Sequence, residues 1–72
     1  MIPNNILYQL KQTPKSFRSD YEAERYAQFD GKGFRYIMKK KNSFYVIRWM
    51  ADRRILEANG FELIKITYRE RN

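Results

Sequence analysis

The sequence predicts a single small α+β domain, residues 1–72, built on a four-stranded antiparallel sheet with two short helices on one face. Three observations predict it. Two stretches carry helix start and stop signals, a pair of aromatic and β-branched runs is joined by a two-residue turn, and both ends of the chain alternate apolar and polar residues.

Residues 5–11 set Ile6, Tyr8 and Leu10 against Leu7, Gln9 and Lys11, a period of two that predicts a first strand with the Ile-Tyr-Leu set inward. A short helix is the rival, because Leu, Gln and Lys are good helix formers; it would leave a three-stranded sheet with an N-terminal helix. Pro14 then interrupts the pattern. Ser19 starts a helix, standing three residues before Glu22 in a capping-box pattern, with Asp20, Glu22 and Glu24 suiting the positive end of the helix dipole. Ala23, Tyr26 and Ala27 supply a narrow apolar stripe, and Gly31 or Gly33 closes the helix.

Residues 34–49, FRYIMKKKNSFYVIRW, hold five basic and five aromatic side chains and no acid. A turn at Lys41-Asn42 makes them a hairpin, Asn being tolerant of the positive φ that tight turns need. The register pairs Lys40 with Ser43, Lys39 with Phe44, Met38 with Tyr45, Ile37 with Val46, Tyr36 with Ile47 and Arg35 with Arg48. One face then holds Phe34, Tyr36, Met38, Tyr45, Ile47 and Trp49 and is predicted as core. The other holds Arg35, Ile37, Lys39, Phe44, Val46 and Arg48 and is expected to be open. Residues 50–60 predict a second helix stopped at Gly60, and residues 61–70 a last strand with Ile64 and Ile66 on one face. The polar tail, residues 69–72, is expected to fray. The element order, βαββαβ, is that of a ferredoxin-like sheet.

Charge narrows the function. The chain carries fifteen Lys and Arg against eight Asp and Glu, a net of +7. Residues 32–54 alone hold eight cations and one acid, so the whole net charge lies in a third of the chain. Such a concentration of positive potential attracts phosphate or an acidic protein surface. No apolar run approaches the roughly 20 residues that span a bilayer, and the first residues lack the basic-then-apolar leader pattern, so a cytoplasmic setting without membrane association is expected.

Absent residue types exclude much chemistry. Without His or Cys there is no serine-type or cysteine-type triad, no disulfide, and none of the usual ligands of zinc, copper or haem. No phosphate-binding glycine loop is present. Asp30 with Lys32 matches a carboxylate-x-lysine fragment of some nucleases, but no partner acids accompany it. The hairpin also lacks the glycines of the third strand of the RNA-recognition motif. No catalytic residue, metal or cofactor is therefore assigned.

The candidate binding residues are Arg35, Ile37, Lys39, Lys40, Lys41, Phe44, Val46, Arg48 and Arg53. Arg35 opposite Arg48 costs about 0.2–1 kcal/mol unless an anion lies between them, either a carboxylate such as Glu62 or a ligand phosphate. Phe44 on an open sheet can stack a base, and Lys39, Lys40 and Lys41 at the turn can meet phosphates. Arg53 stands in the first turn of a helix, where a cation opposes the dipole.

The expected function is non-enzymatic binding of RNA or single-stranded DNA. The alternative is a phage-type or mobile-element interaction protein that binds and redirects a host protein, with a histidine-free ribonuclease toxin as a minor third. An edge strand also admits a homodimer.

Overall fold

The computed structural model describes residues 2–70. A turn of helix, α1 (Asn4–Leu7), is followed by β1 (Lys15–Phe17), α2 (Asp20–Phe29), β2 (Gly33–Lys40), β3 (Ser43–Ile47), α3 (Met50–Ala58) and β4 (Glu62–Arg69). The strands form one antiparallel sheet in the order β1-β3-β2-β4. The α+β class, the four strands and the strand-helix alternation are those the sequence predicts. Of the tail expected to fray, Arg69 belongs to β4, and residues 71 and 72 lie outside the described residues.

The first segment departs from its predicted strand. Ile2 and Ile6 are both buried and Leu10 packs against the same cluster, but a strand that turned Ile6 and Leu10 inward would turn Tyr8 inward with them. Tyr8, predicted inward, is 87% exposed. The first strand comes later, directly after Pro14, where an edge strand tolerates proline.

The two main helices are capped as their sequences demand. Ser19 Oγ accepts from Glu22 N at 3.2 Å. At the end of α3, Phe61 N donates to Leu56 O and Gly60 N to Glu57 O, the Schellman pattern, with Gly60 at φ +88° and Phe61 packed into the same core cluster as Leu56. Lys40 Nζ adds a hydrogen bond to Asn59 O at 3.1 Å, placing a cation at the negative end of α3.

The hairpin ladder from Tyr36–Ile47 to Lys40–Ser43 has the predicted register. Its positive φ, 56°, falls on Lys41 rather than on Asn42.

The sheet order carries the largest correction. A ferredoxin-like sheet sets β4 beside β1, and both helices then share a face. Here β4 lies beside β2. The β1-α2-β2 and β3-α3-β4 crossovers therefore step the same way across the sheet, from strands that run in opposite directions. Right-handed crossovers then require α2 and α3 to lie on opposite faces. The core divides accordingly. Ala23 and Ala27 of α2 pack on Ile37 and Val46, while Leu56 of α3 and Ile6 of α1 pack on Tyr36, Met38, Tyr45 and Ile47. The two alanines, one turn apart with almost no side chain, let α2 sit close to the strands.

Two stability outcomes follow from this packing. Ile37→Ala, at a site only 1% exposed, costs about 2–5 kcal/mol in urea unfolding, the penalty of a core cavity. Lys41→Gly raises stability by roughly 0.5–1 kcal/mol in the same measurement, because glycine relieves the left-handed strain by more than its own entropy costs.

A basic groove beside the first strand as candidate functional site

The hairpin face predicted to be open is covered by α2. Ile37 and Val46 lie in its core cluster, and Phe44 packs at the margin with Lys39 Nζ 5.3 Å from its ring centroid. This corrects the expectation of an apolar-basic platform: Ile37 and Val46 are held by helix packing and present nothing to a ligand.

Arg35 is corrected in the same way, being 3% exposed. Its Nε lies 3.1 Å from Asp30 Oδ2, Nη1 donates to Lys32 O at 3.1 Å and to Phe34 O at 2.8 Å, and Nη2 donates to Asp30 O. The guanidinium thus gathers the carbonyls of the loop that follows α2, a fixed fork meeting fixed acceptors. The ladder between β2 and β3 ends at Ile47, so Arg35 does not face Arg48 across it but sits opposite Thr67 on β4. The anion that offsets its charge is Asp30, the nuclease-like carboxylate, while Glu62 stands opposite Lys39.

The lysine run divides at the turn. Lys39 lies on the α2 face, Lys40 reaches the end of α3 on the other face with Nζ 5.0 Å from the Phe61 ring, and Lys41 is exposed at the tip. Arg53 spreads over Tyr36, 5.1 Å from its ring centroid. Its Nε, 3.3 Å from Glu57 Oε1, is paired by charge without an aligned hydrogen bond.

Arg48 remains exposed, and the fold gives it company that its place in the chain does not announce. Pairing of β1 with β3 sets Lys15 opposite Val46, two positions from Arg48. The two side chains line one groove with Gln12, Thr13, Tyr26 and Trp49. Lys15 Nζ stands 5.2 Å from the Tyr26 ring centroid, and Lys11 Nζ 5.9 Å from that of Trp49. On its inner side Arg48 approaches Gly31, where a Cβ would sit 3.5 Å from its Nη2 and 3.3 Å from Arg35 Nη2. With φ at +82°, Gly31 takes a conformation that L side chains rarely adopt.

Two carboxylates reach the groove, and both are already engaged. Asp30 is bound by Arg35, and buried Asp52 accepts the Lys11 backbone N–H on both oxygens, at 3.0 and 3.1 Å. Lys11, Lys15 and Arg48 make no ion pair among the described residues. The enclosed part of the groove is about 50 Å³, well below the roughly 300–1,000 Å³ of small-molecule pockets, and suits one projecting anionic group rather than a buried cofactor. Among the described residues no three acids converge as metal ligands, and no helix is long and apolar enough to cross a membrane.

The hairpin is marked by its composition alone, whereas Lys11, Lys15, Tyr26 and Trp49 come together only through the β1–β3 pairing and the start of α3. Pro14 preceding a Lys-Ser-Phe run was the signal for that strand. No protein-family model, curated protein or solved structure matches this chain.

The two arginines separate on substitution. Arg35→Ala leaves the loop carbonyls and Asp30 without their cation and lowers unfolding free energy by about 3 kcal/mol in urea denaturation. Arg48→Ala changes it by less than about 0.5 kcal/mol.

Proposed function

We propose that this protein is a non-enzymatic, cytoplasmic binder of single-stranded nucleic acid, RNA or DNA, which it holds along the β1 edge of the sheet. The observation that carries this reading is the groove lined by Lys15 and Arg48 between the Tyr26 and Trp49 rings, with Lys11 over Trp49 beside it, cations with no carboxylate partner among the described residues. Phosphate oxygens neutralise the cations, and Trp49, partly exposed, offers a face on which an unpaired base stacks. Lys41 at the hairpin tip, with Lys39 beside it, extends the positive track away from the groove. A single strand fits better than a duplex, since stacking on Trp49 requires a base that is not already stacked on both sides.

Fluorescence anisotropy with short single-stranded RNA, single-stranded DNA and duplex tests this. Three phosphate contacts give a slope of about −2 in log affinity against log salt, or roughly tenfold weaker binding when salt is tripled. Lys15→Glu with Arg48→Glu abolishes binding with the fold intact, and Trp49→Ala weakens it about 5- to 150-fold. Binding indifferent to salt and to the double substitution refutes the reading. The RNA is recovered intact; cleavage would point instead to a histidine-free ribonuclease.

A second reading, an interaction protein of the phage or mobile-element type, is favoured by one observation. Phe34, Ile66 and Tyr68 form an exposed apolar row at the opposite side of the sheet from the groove. These residues, rather than Ile37, Phe44 and Val46, would carry the energy of such a contact, and the basic groove would steer it toward an acidic partner.

A further inference from the structure

We infer that the protein forms a two-fold homodimer by antiparallel pairing of β4 with β4 of a second copy. This inference does not rest on nucleic-acid binding, and its test uses none.

β4 is an outer strand of eight residues, so one row of its backbone N–H and C=O groups faces no other strand. The opposite edge is unlike it. β1 has three residues and follows directly on Pro14, which donates no hydrogen bond, and so it offers almost no template.

The side chains of β4 sharpen the contrast. Tyr68 stands opposite Phe34 with ring centroids 4.7 Å apart, yet the two are 59% and 54% exposed. Ile66, opposite buried Tyr36, is 47% exposed, and Ile64, at the bulge in the ladder, 41%. The core on this face is built by Leu56 of α3 and Ile6 of α1 over Tyr36, Met38, Tyr45 and Ile47, which leaves the Phe34–Tyr68 end uncovered.

Edge strands are commonly protected by cations that would be buried unpaired if another strand approached. Here both are drawn back over α2: Lys65 Nζ lies 2.9 Å from Glu24 Oε1, and Arg69 Nη1 donates to Gln28 O at 2.6 Å.

The strand is also complementary to itself. A two-fold axis at Ile66 sets Ile66 opposite Ile66 of the second copy, Ile64 opposite Tyr68, and Lys65 opposite Thr67. Apolar residues then meet apolar residues, and no like charges face each other over these five positions. Moving the axis to Lys65 sets lysine against lysine, and moving it to Thr67 sets Lys65 against Arg69. A foreign strand would satisfy the backbone equally well, but in the Ile66 register a second copy also meets the exposed Ile64, Ile66 and Tyr68 with apolar side chains.

Sedimentation equilibrium on the full chain is the first test. A monomer passes to a dimer as concentration rises through the micromolar range, and Ile66→Lys, which opposes two lysines at the axis, stays monomeric with an unchanged circular dichroism spectrum. The second test uses the absence of cysteine from the chain. Ile66→Cys oxidises to a disulfide-linked dimer, whereas Tyr8→Cys, more exposed but on the segment after α1, does not. A wild-type chain that remains monomeric at every concentration, a dimer indifferent to Ile66→Lys, or equal cross-linking of the two cysteine variants overturns the inference. So does a β4 that pairs only with an added foreign strand peptide.

Discussion

The placement of β4 beside β2 is the constraint on which the rest of the molecule depends. It sends the two crossovers to opposite faces, so a chain of 72 residues covers both sides of its sheet rather than one. Tyr36, Ile37 and Met38 are consequently buried in succession, as are Tyr45, Val46 and Ile47. Each strand interior contributes all its side chains to a core, a pattern more familiar in sheets with helices on both sides. For a small domain this is economical, since the two central strands bury twice the apolar surface that a one-sided sheet would take from the same residues. The cost falls on the outer strands, which receive less helix cover.

Double coverage also explains how an arginine comes to be buried in so small a protein. Arg35 lies on the α2 face, where α2 has ended and the loop of residues 30–32 turns into β2. The loop leaves carbonyls that no backbone N–H reaches, and the guanidinium satisfies them while Asp30 offsets its charge. The desolvation of this cation is repaid by hydrogen bonds more than by ion pairing, since Asp30 is itself partly exposed. One of the eight cations in the basic third of the chain is thereby removed from the surface, and Arg53, over Tyr36 and beside Glu57, is partly removed.

Much of this was legible in the residues. The hairpin register follows from turn length and alternation, and the capping of α2 at Ser19 and the stop at Gly60 follow from residue types at fixed offsets. The sidedness was written less plainly. The apolar succession of Tyr36-Ile37-Met38 and Tyr45-Val46-Ile47 is the mark of strands covered twice, but the alternation of large rings with charges at Arg35, Lys39 and Arg48 mimics a half-open sheet. For residues 5–11, a period of two and a spacing of four both fit Ile6 and Leu10; only exposed Tyr8 between them separates the helix from the strand, and its residue type does not announce that. The groove was beyond local pattern, because Lys15 and Arg48 are 33 positions apart and meet only through the strand order.

The two edges of the sheet divide the surface between two kinds of interaction. The β1 edge is short, preceded by proline and bordered by cations without an ion-pair partner among the described residues, which disfavours another strand and suits the proposed phosphate contacts. The β4 edge is long and apolar, with its cations folded away, so it repels water more than it attracts charge. Pairing through β4 therefore leaves both β1 edges at the outer margins of an eight-stranded sheet. With strands about 4.8 Å apart, the two basic grooves stand about 34 Å from each other, less any shortening by sheet twist. Under the proposed binding, a single strand long enough to cross that distance would engage both grooves, the second engagement being intramolecular, so that each would need only modest affinity for the pair to hold firmly. The proposed charge-based binding at one edge and strand pairing at the other would thus reinforce each other without sharing a residue.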